Sequence, residues 1–146
     1  MNFESFVLAA ATTDLADEPA AREHADAGAA TVVSVHDFEA TPPEPALRDL
    51  LARAADAGDV GKLAVTAEGP DDALAVLSAT RAATAAGDRV ATMAMGEPGR
   101  HTRAVAPLYG SRVGYAPVDP AGATAPGQYD LARLAALLDE LGVKRT

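Results

Sequence analysis

The chain has 146 residues, and 12 Lys+Arg against 21 Asp+Glu leave a net charge of −9. Such a surface repels phosphate backbones and anionic bilayers, which argues against nucleic-acid and membrane-surface partners. Cysteine is absent, which excludes disulfides, thiolate metal sites and thiol nucleophiles.

In chain order, Phe6–Ala10 reads as a short apolar strand and Asp14–Ala27 as a helix, with Pro19 tolerable only near its start. Thr31–His36 is the strongest strand, β-branched and nearly continuous, as in a strand covered on both faces. A proline-punctuated loop, Asp37–Pro45, leads into a helix over Ala46–Ala57, where Leu47, Leu50, Leu51 and Ala54 recur at helical spacing. Lys62–Ala67 is a strand. Pro70, Asp71 and Asp72 open a helix that runs to about Ala86 and stops at Gly87. Val90–Met95 is a further strand, followed by the loop Gly96–Arg100 and a short helix over Thr102–Tyr109. A fifth strand is expected over Arg112–Val118, then the loop Asp119–Gly127 and a closing Leu-rich helix, Asp130–Leu141.

Alternating strands and helices mean βα units, a parallel sheet and right-handed crossovers, hence an α/β domain. A doubly wound sheet accepts five strands, whereas a βα barrel needs eight in about 250 residues. No apolar run reaches the ~18 residues of a membrane span, and the acidic Met1–Glu4 start does not suit a signal peptide, so a cytoplasmic protein is expected. Of the hydrophobic residues 36 are Ala and none is Ile, and Lys62 and Lys144 are the two lysines among the basic residues. Acid-rich, Lys-poor composition suits a salt-rich cytoplasm, and a GC-rich genome produces the same bias.

Ligands of parallel α/β folds bind beyond the carboxyl ends of the strands. His36, Asp37 and Phe38 fall at one such end, Met93, Met95 and Gly96 at another, and Arg103 just after it. Tyr115 lies in the last expected strand, with Thr124, Gly127 and Gln128 in the loop beyond. Lys62 sits at the start of its apolar run; a strand beginning near Val60 would carry it inside the sheet, where a desolvated lysine becomes an amine nucleophile. By pattern alone a snorkelling or strand-edge Lys62 and a satisfied core His36 are the favoured readings over catalytic ones. His24 reads as solvated, and His101 could be either. No Gly-rich loop matches a nucleotide fingerprint, and no His and carboxylate spacing indicates a metal site.

Taken together, four segments resemble type I 3-dehydroquinate dehydratase. Ser34-Val35-His36-Asp37-Phe38 resembles that family's S-x-H-D-F strand end, and Lys62-Leu63-Ala64-Val65 its K-[IL]-A-V strand. Thr92-Met93-Ala94-Met95-Gly96 resembles its T-M-x-M-[GA] strand with an arginine shortly after, here Arg103. Ala123-Thr124-Ala125-Pro126-Gly127-Gln128 resembles its A-[ST]-A-P-G-Q loop. The four occur in family order and spacing from about Thr31 to Leu141, and Asn2–Ala10 resembles the first strand of haloarchaeal members.

The resemblance implies parallel βα units of a TIM (β/α)8 barrel. It implies dehydration of 3-dehydroquinate to 3-dehydroshikimate in the shikimate pathway, without metal or cofactor. Lys62 would form the Schiff base and His36 would act as general base, then general acid. Arg103 would pair with the substrate carboxylate, Thr124 and Gln128 would hydrogen-bond it or the ring hydroxyls, and Met93, Met95, Phe38 and Tyr115 would wall the pocket. The family also carries an E-x-R pattern and a glutamate that orients the histidine, on strands with no match here. The expectation is therefore one partial barrel domain, residues 1–146, of about five strands, with strands two to four missing at a junction near Ala27–Gly28. An imidazole without its carboxylate should be poorly held and turnover impaired. Open sheet edges make a homodimer conceivable. Another Schiff-base aldolase or lyase, or a non-catalytic acidic remnant or interaction module, are the competing readings.

Overall fold

A computed structural model of the chain describes residues 10–17, 19, 22–23, 26–28 and 30–144. Strands β1 (Ala10–Asp14), β2 (Ala30–Asp37), β3 (Val60–Thr66) and β4 (Val90–Met95) form one parallel sheet in that order. The described helices are α1 (Glu44–Ala57), α2 (Pro70–Ala85), α3 (Thr102–Val105) and α4 (Leu131–Glu140).

The apolar periodicity decides the packing. Leu47, Leu51 and Ala54, one stripe of α1, are fully buried, as is Val76 of α2. Leu47, Leu51 and Val76 meet Leu63 and Val65 of β3 and Val90 and Ala94 of β4 on one face of the sheet, while Ala54 packs on Val33 of β2. Each fully buried Leu or Val contributes roughly 2 kcal/mol of transfer free energy. Gly61 allows the close approach of β3 to α1, since a Cβ there would lie 2.6 Å from the Ala55 backbone nitrogen. Behind α2, Thr80 donates its hydroxyl to the Val76 carbonyl at 2.6 Å and meets the Thr92 hydroxyl at 2.6 Å, so neither buried group goes unpaired.

The other face of the sheet carries the site. Val32, Val60 and Ala91 cluster at its lower end with Val113 packed on them. Ser34 and Lys62 are register partners above them. His36 pairs with Ala64, and Ala64 with Met93, one pleat further toward the carboxyl ends.

Several expected elements shift. The expected Phe6–Ala10 strand lies outside the described residues except for Ala10, which begins β1. Asp14 ends that strand instead of opening a helix, and Leu15–Asp17 is a 3-10 turn. Helical residues follow from Pro19, because a proline ring is accommodated in a first turn and not in a helix interior. Val60 does begin β3, so Lys62 lies inside the sheet. The helix after the β4 loop tightens from α3 into a 3-10 segment, Ala106–Tyr109, at Pro107.

The expected fifth strand, Arg112–Val118, is reduced to a single parallel bridge between Ser111 and Val90. Two side chains occupy the β4 edge where a ladder would form. The Ser111 hydroxyl accepts from the Thr92 N–H at 3.0 Å, and the Thr102 hydroxyl accepts from the Ala94 N–H at 2.9 Å. Gly114 and Pro117 further weaken strand character in that segment. The described sheet thus has four strands, not five.

Candidate active site

Strand parity places His36 and Lys62 on the same face of adjacent strands, and the long lysine side chain spans the remaining pleat. Lys62 Nζ comes to 3.1 Å from His36 Nε2. Burial pushes the Lys62 amine below its usual range, and the Arg103 cation adds to that effect. The Tyr115 ring supports the amine at 4.6 Å from its centroid. Burial also pushes the Tyr115 phenol up. Burial lowers the His36 imidazole, Lys62 lowers it further, and Asp14 opposes both. The His36 ring stacks on Phe38 with centroids 5.5 Å apart and planes 4° from parallel. Phe38 is otherwise exposed.

Arg103 of α3 is 6% exposed. Its Nη2 donates to the Pro126 carbonyl at 3.0 Å, and its Nη1 approaches Met93 Sδ at 3.5 Å. Its Nε is buried without a hydrogen-bond partner. Arg103, Met93 and Tyr115 line one crevice together with Thr92 and Ser111.

The 124–128 loop is pinned over the carboxyl end of β4. Gly127 takes φ +77, and a Cβ there would lie 2.8 Å from the Gly96 carbonyl oxygen, so this close crossing requires glycine. The Gly96 N–H donates to Pro126 at 3.4 Å, while Ala125 packs on Ala64, Met93 and Met95. Gln128 Oε1 accepts from the Thr124 N–H at 2.8 Å. The structure therefore gathers Lys62, His36, Phe38, Tyr115, Arg103, Met93 and Met95 at one end of the sheet. Thr124 and Gln128 join through their loop and engage each other, not the charged groups. His24 lies outside the described residues, and His101 is exposed at the start of α3.

Two residues of the site were not read from the sequence. Asp14 Oδ2 lies 4.0 Å from His36 Nδ1. The Ser34 hydroxyl is buried beneath the pair with no hydrogen-bond partner. Asp14 had the look of a first helical residue, and its position depends on β1 pairing beside β2, which no local pattern signals. Ser34 was visible in its motif, but nothing marked its hydroxyl as unpartnered.

The family model described as Type I 3-dehydroquinase matches residues 10–145. The chain belongs to the type I 3-dehydroquinase family. It is 64% identical over 116 residues to the 3-dehydroquinate dehydratase of Haloarcula marismortui, covering 80% of this chain and 51% of the relative. It is 55% identical over 130 residues to that of Halobacterium salinarum, covering 89% and 57%. The solved 3-dehydroquinate dehydratase of Geobacillus kaustophilus HTA426 superposes with a TM-score of 0.85 at 29% identity, covering 94% of this chain and 55% of that one. The chain thus has the α/β architecture of a type I 3-dehydroquinase barrel in partial form, and spans about half the length of the curated relatives it matches.

Proposed function

We propose that Lys62 and His36 dehydrate 3-dehydroquinate to 3-dehydroshikimate through a Schiff base. The observation that carries this is the 3.1 Å approach of Lys62 Nζ to His36 Nε2. Desolvation favours the neutral amine, whose lone pair must add to the substrate ketone. Loss of water from the adduct leaves an iminium. His36 removes a proton from the neighbouring carbon, and the electron pair flows into the iminium to give an enamine. The enamine expels the β-hydroxyl, which takes a proton from His36 and leaves as water. Hydrolysis of the conjugated iminium releases product and restores the lysine. An imidazole suits both proton transfers because its pKa lies near neutral pH.

The unpartnered Nε of buried Arg103 supports a carboxylate-binding role, since a buried guanidinium donor without an acceptor is costly to keep. Thr124 and Gln128 complete polar contacts to the substrate, and Met93, Met95, Phe38 and Tyr115 keep water from the iminium. The proposal includes a junction near Ala27–Gly28 in place of strands two to four, supported by the direct pairing of β1 with β2. It also includes a cytoplasmic location and a homodimer. Among the described residues no helix is long and apolar enough to cross a membrane.

The test is borohydride trapping with 3-dehydroquinate, read by intact mass. A reduced adduct on Lys62 is expected, absent in Lys62→Ala and formed more slowly than by the Haloarcula relative, since the family's glutamate that orients the histidine has no match. No adduct on the parent chain overturns the proposal. Trapping as fast as the relative's overturns the expected impairment.

A further inference from the structure

We infer that Asp14, the last residue of β1, is the positioning residue that orients the His36 imidazole. This rests on the reading of His36 as the proton-transfer group. The family's glutamate for this task has no match in the chain, and the geometry assigns the task to a residue from a different strand.

Three observations carry the assignment. The β1–β2 register pairs Asp14 with Ser34, two residues before His36, so the carboxylate projects beside the imidazole. One carboxylate oxygen, Oδ1, accepts from the Ala16 N–H at 2.8 Å, and this fixes the rotamer. The other, Oδ2, lies 4.0 Å from Nδ1. Lys62 Nζ stands at 3.1 Å from the opposite ring nitrogen. The imidazole therefore stands between carboxylate and amine, one at each ring nitrogen, and the stacked Phe38 ring holds its plane.

The separation exceeds the roughly 3 Å of a formed N–H···O bond, so the interaction is coulombic and acts through charge. Its consequence is a preferred tautomer. The proton stays on Nδ1, toward the carboxylate, and the Nε2 lone pair faces the lysine and the bound substrate. Among the described residues, the charged groups around His36 are Asp14 from β1, Lys62 from β3 and Arg103 behind Lys62. Asp37 on its own strand turns its carboxylate to the N–H groups of Glu39 and Ala40. Asp14 is thus the carboxylate directed at the ring. With side-chain exposures of 27% for His36 and 57% for Asp14, water screens the pair, and the effect is modest.

The test is nitrogen-15 NMR of the histidine rings in the full chain, with Asp14→Asn, Asp14→Ser and Asp14→Glu. The parent His36 is expected to be mainly Nδ1-protonated when neutral. In Asp14→Asn and Asp14→Ser its titration midpoint should move to lower pH and its tautomers should mix, while the His101 signal stays unchanged. Asp14→Glu should retain the parent behaviour. Trapping on Lys62 should slow about tenfold in the neutral variants, far less than the roughly 10⁴-fold seen for a fully buried carboxylate–histidine pair. Circular dichroism confirms the fold of each variant, and Asp14→Ser decides should the amide variant not fold. Unchanged His36 midpoint and tautomer in a folded neutral variant overturn the inference. A shifted His36 with no trapping in the parent chain leaves the inference standing and defeats the catalytic reading instead.

Discussion

Lys62 concentrates the conflict between stability and chemistry in one side chain. Its amine is half-buried, its pKa is lowered by desolvation, and it is held between an aromatic ring and an imidazole. Lys62→Met keeps the approximate length of the side chain and removes the desolvated amine. It is expected to abolish trapping while raising stability by about 1 kcal/mol, read as an increase in Tm. His36 sets a pH dependence of definite sign. Its folded pKa lies below the ordinary imidazole value of about 6.5, so the unfolded chain takes up the proton first as pH falls. Stability should therefore be highest above that range and fall as pH drops through it. Urea midpoints at pH 8 and pH 5.5 check this, and His36→Gln should reduce the difference. Pattern alone left Lys62 and His36 as open readings, and the resemblance of their strand segments to the family's motifs singled out this one of two lysines and one of three histidines. Asp14 was not legible, because it is one of 21 acidic residues and only tertiary pairing distinguishes it.

At the scale of elements, β2, β3, β4 and the helices α1, α2 and α4 follow from apolar periodicity, prolines at first turns and capping residues. Asp130, for instance, accepts from the Arg133 N–H at 2.9 Å and starts α4 where expected. The Arg112–Val118 segment failed because its apolar alternation says nothing about whether a neighbouring edge is free. Thr102 is the residue to test. Its hydroxyl accepts from the Ala94 N–H and donates to the Gly99 carbonyl at 2.7 Å. Thr102→Val preserves shape but leaves a buried N–H unpaired, and should cost about 2 kcal/mol in chemical denaturation. Leu51→Ala in the α1 stripe, fully buried, should cost about 3 kcal/mol by the same measurement.

At the scale of the molecule, a net charge of −9 opposes compaction. Tm should climb as KCl is raised from about 0.1 M, where the screening length is about 10 Å, to about 1 M, where it is about 3 Å. A flat response would place the acidic bias in genome composition and not in salt adaptation. The fold class was legible from the alternation of elements, and the partial character from length against a ~250-residue barrel. The neighbourhood of β1 and β2 was one of two open alternatives, the other being free edges, because which strands pair is a global outcome. The hydroxyl-plugged edge of β4 gives that neighbourhood a directional meaning. A second chain cannot add a strand there without evicting Thr102 and Ser111, so among the described residues β1 is the open margin. In the proposed homodimer, self-pairing at one margin would be isologous: the two β1 strands would meet antiparallel about a twofold axis, and growth would stop at two copies. Such a pair would be one continuous sheet, parallel within each chain and antiparallel at the join, and not the all-parallel closure of a (β/α)8 barrel.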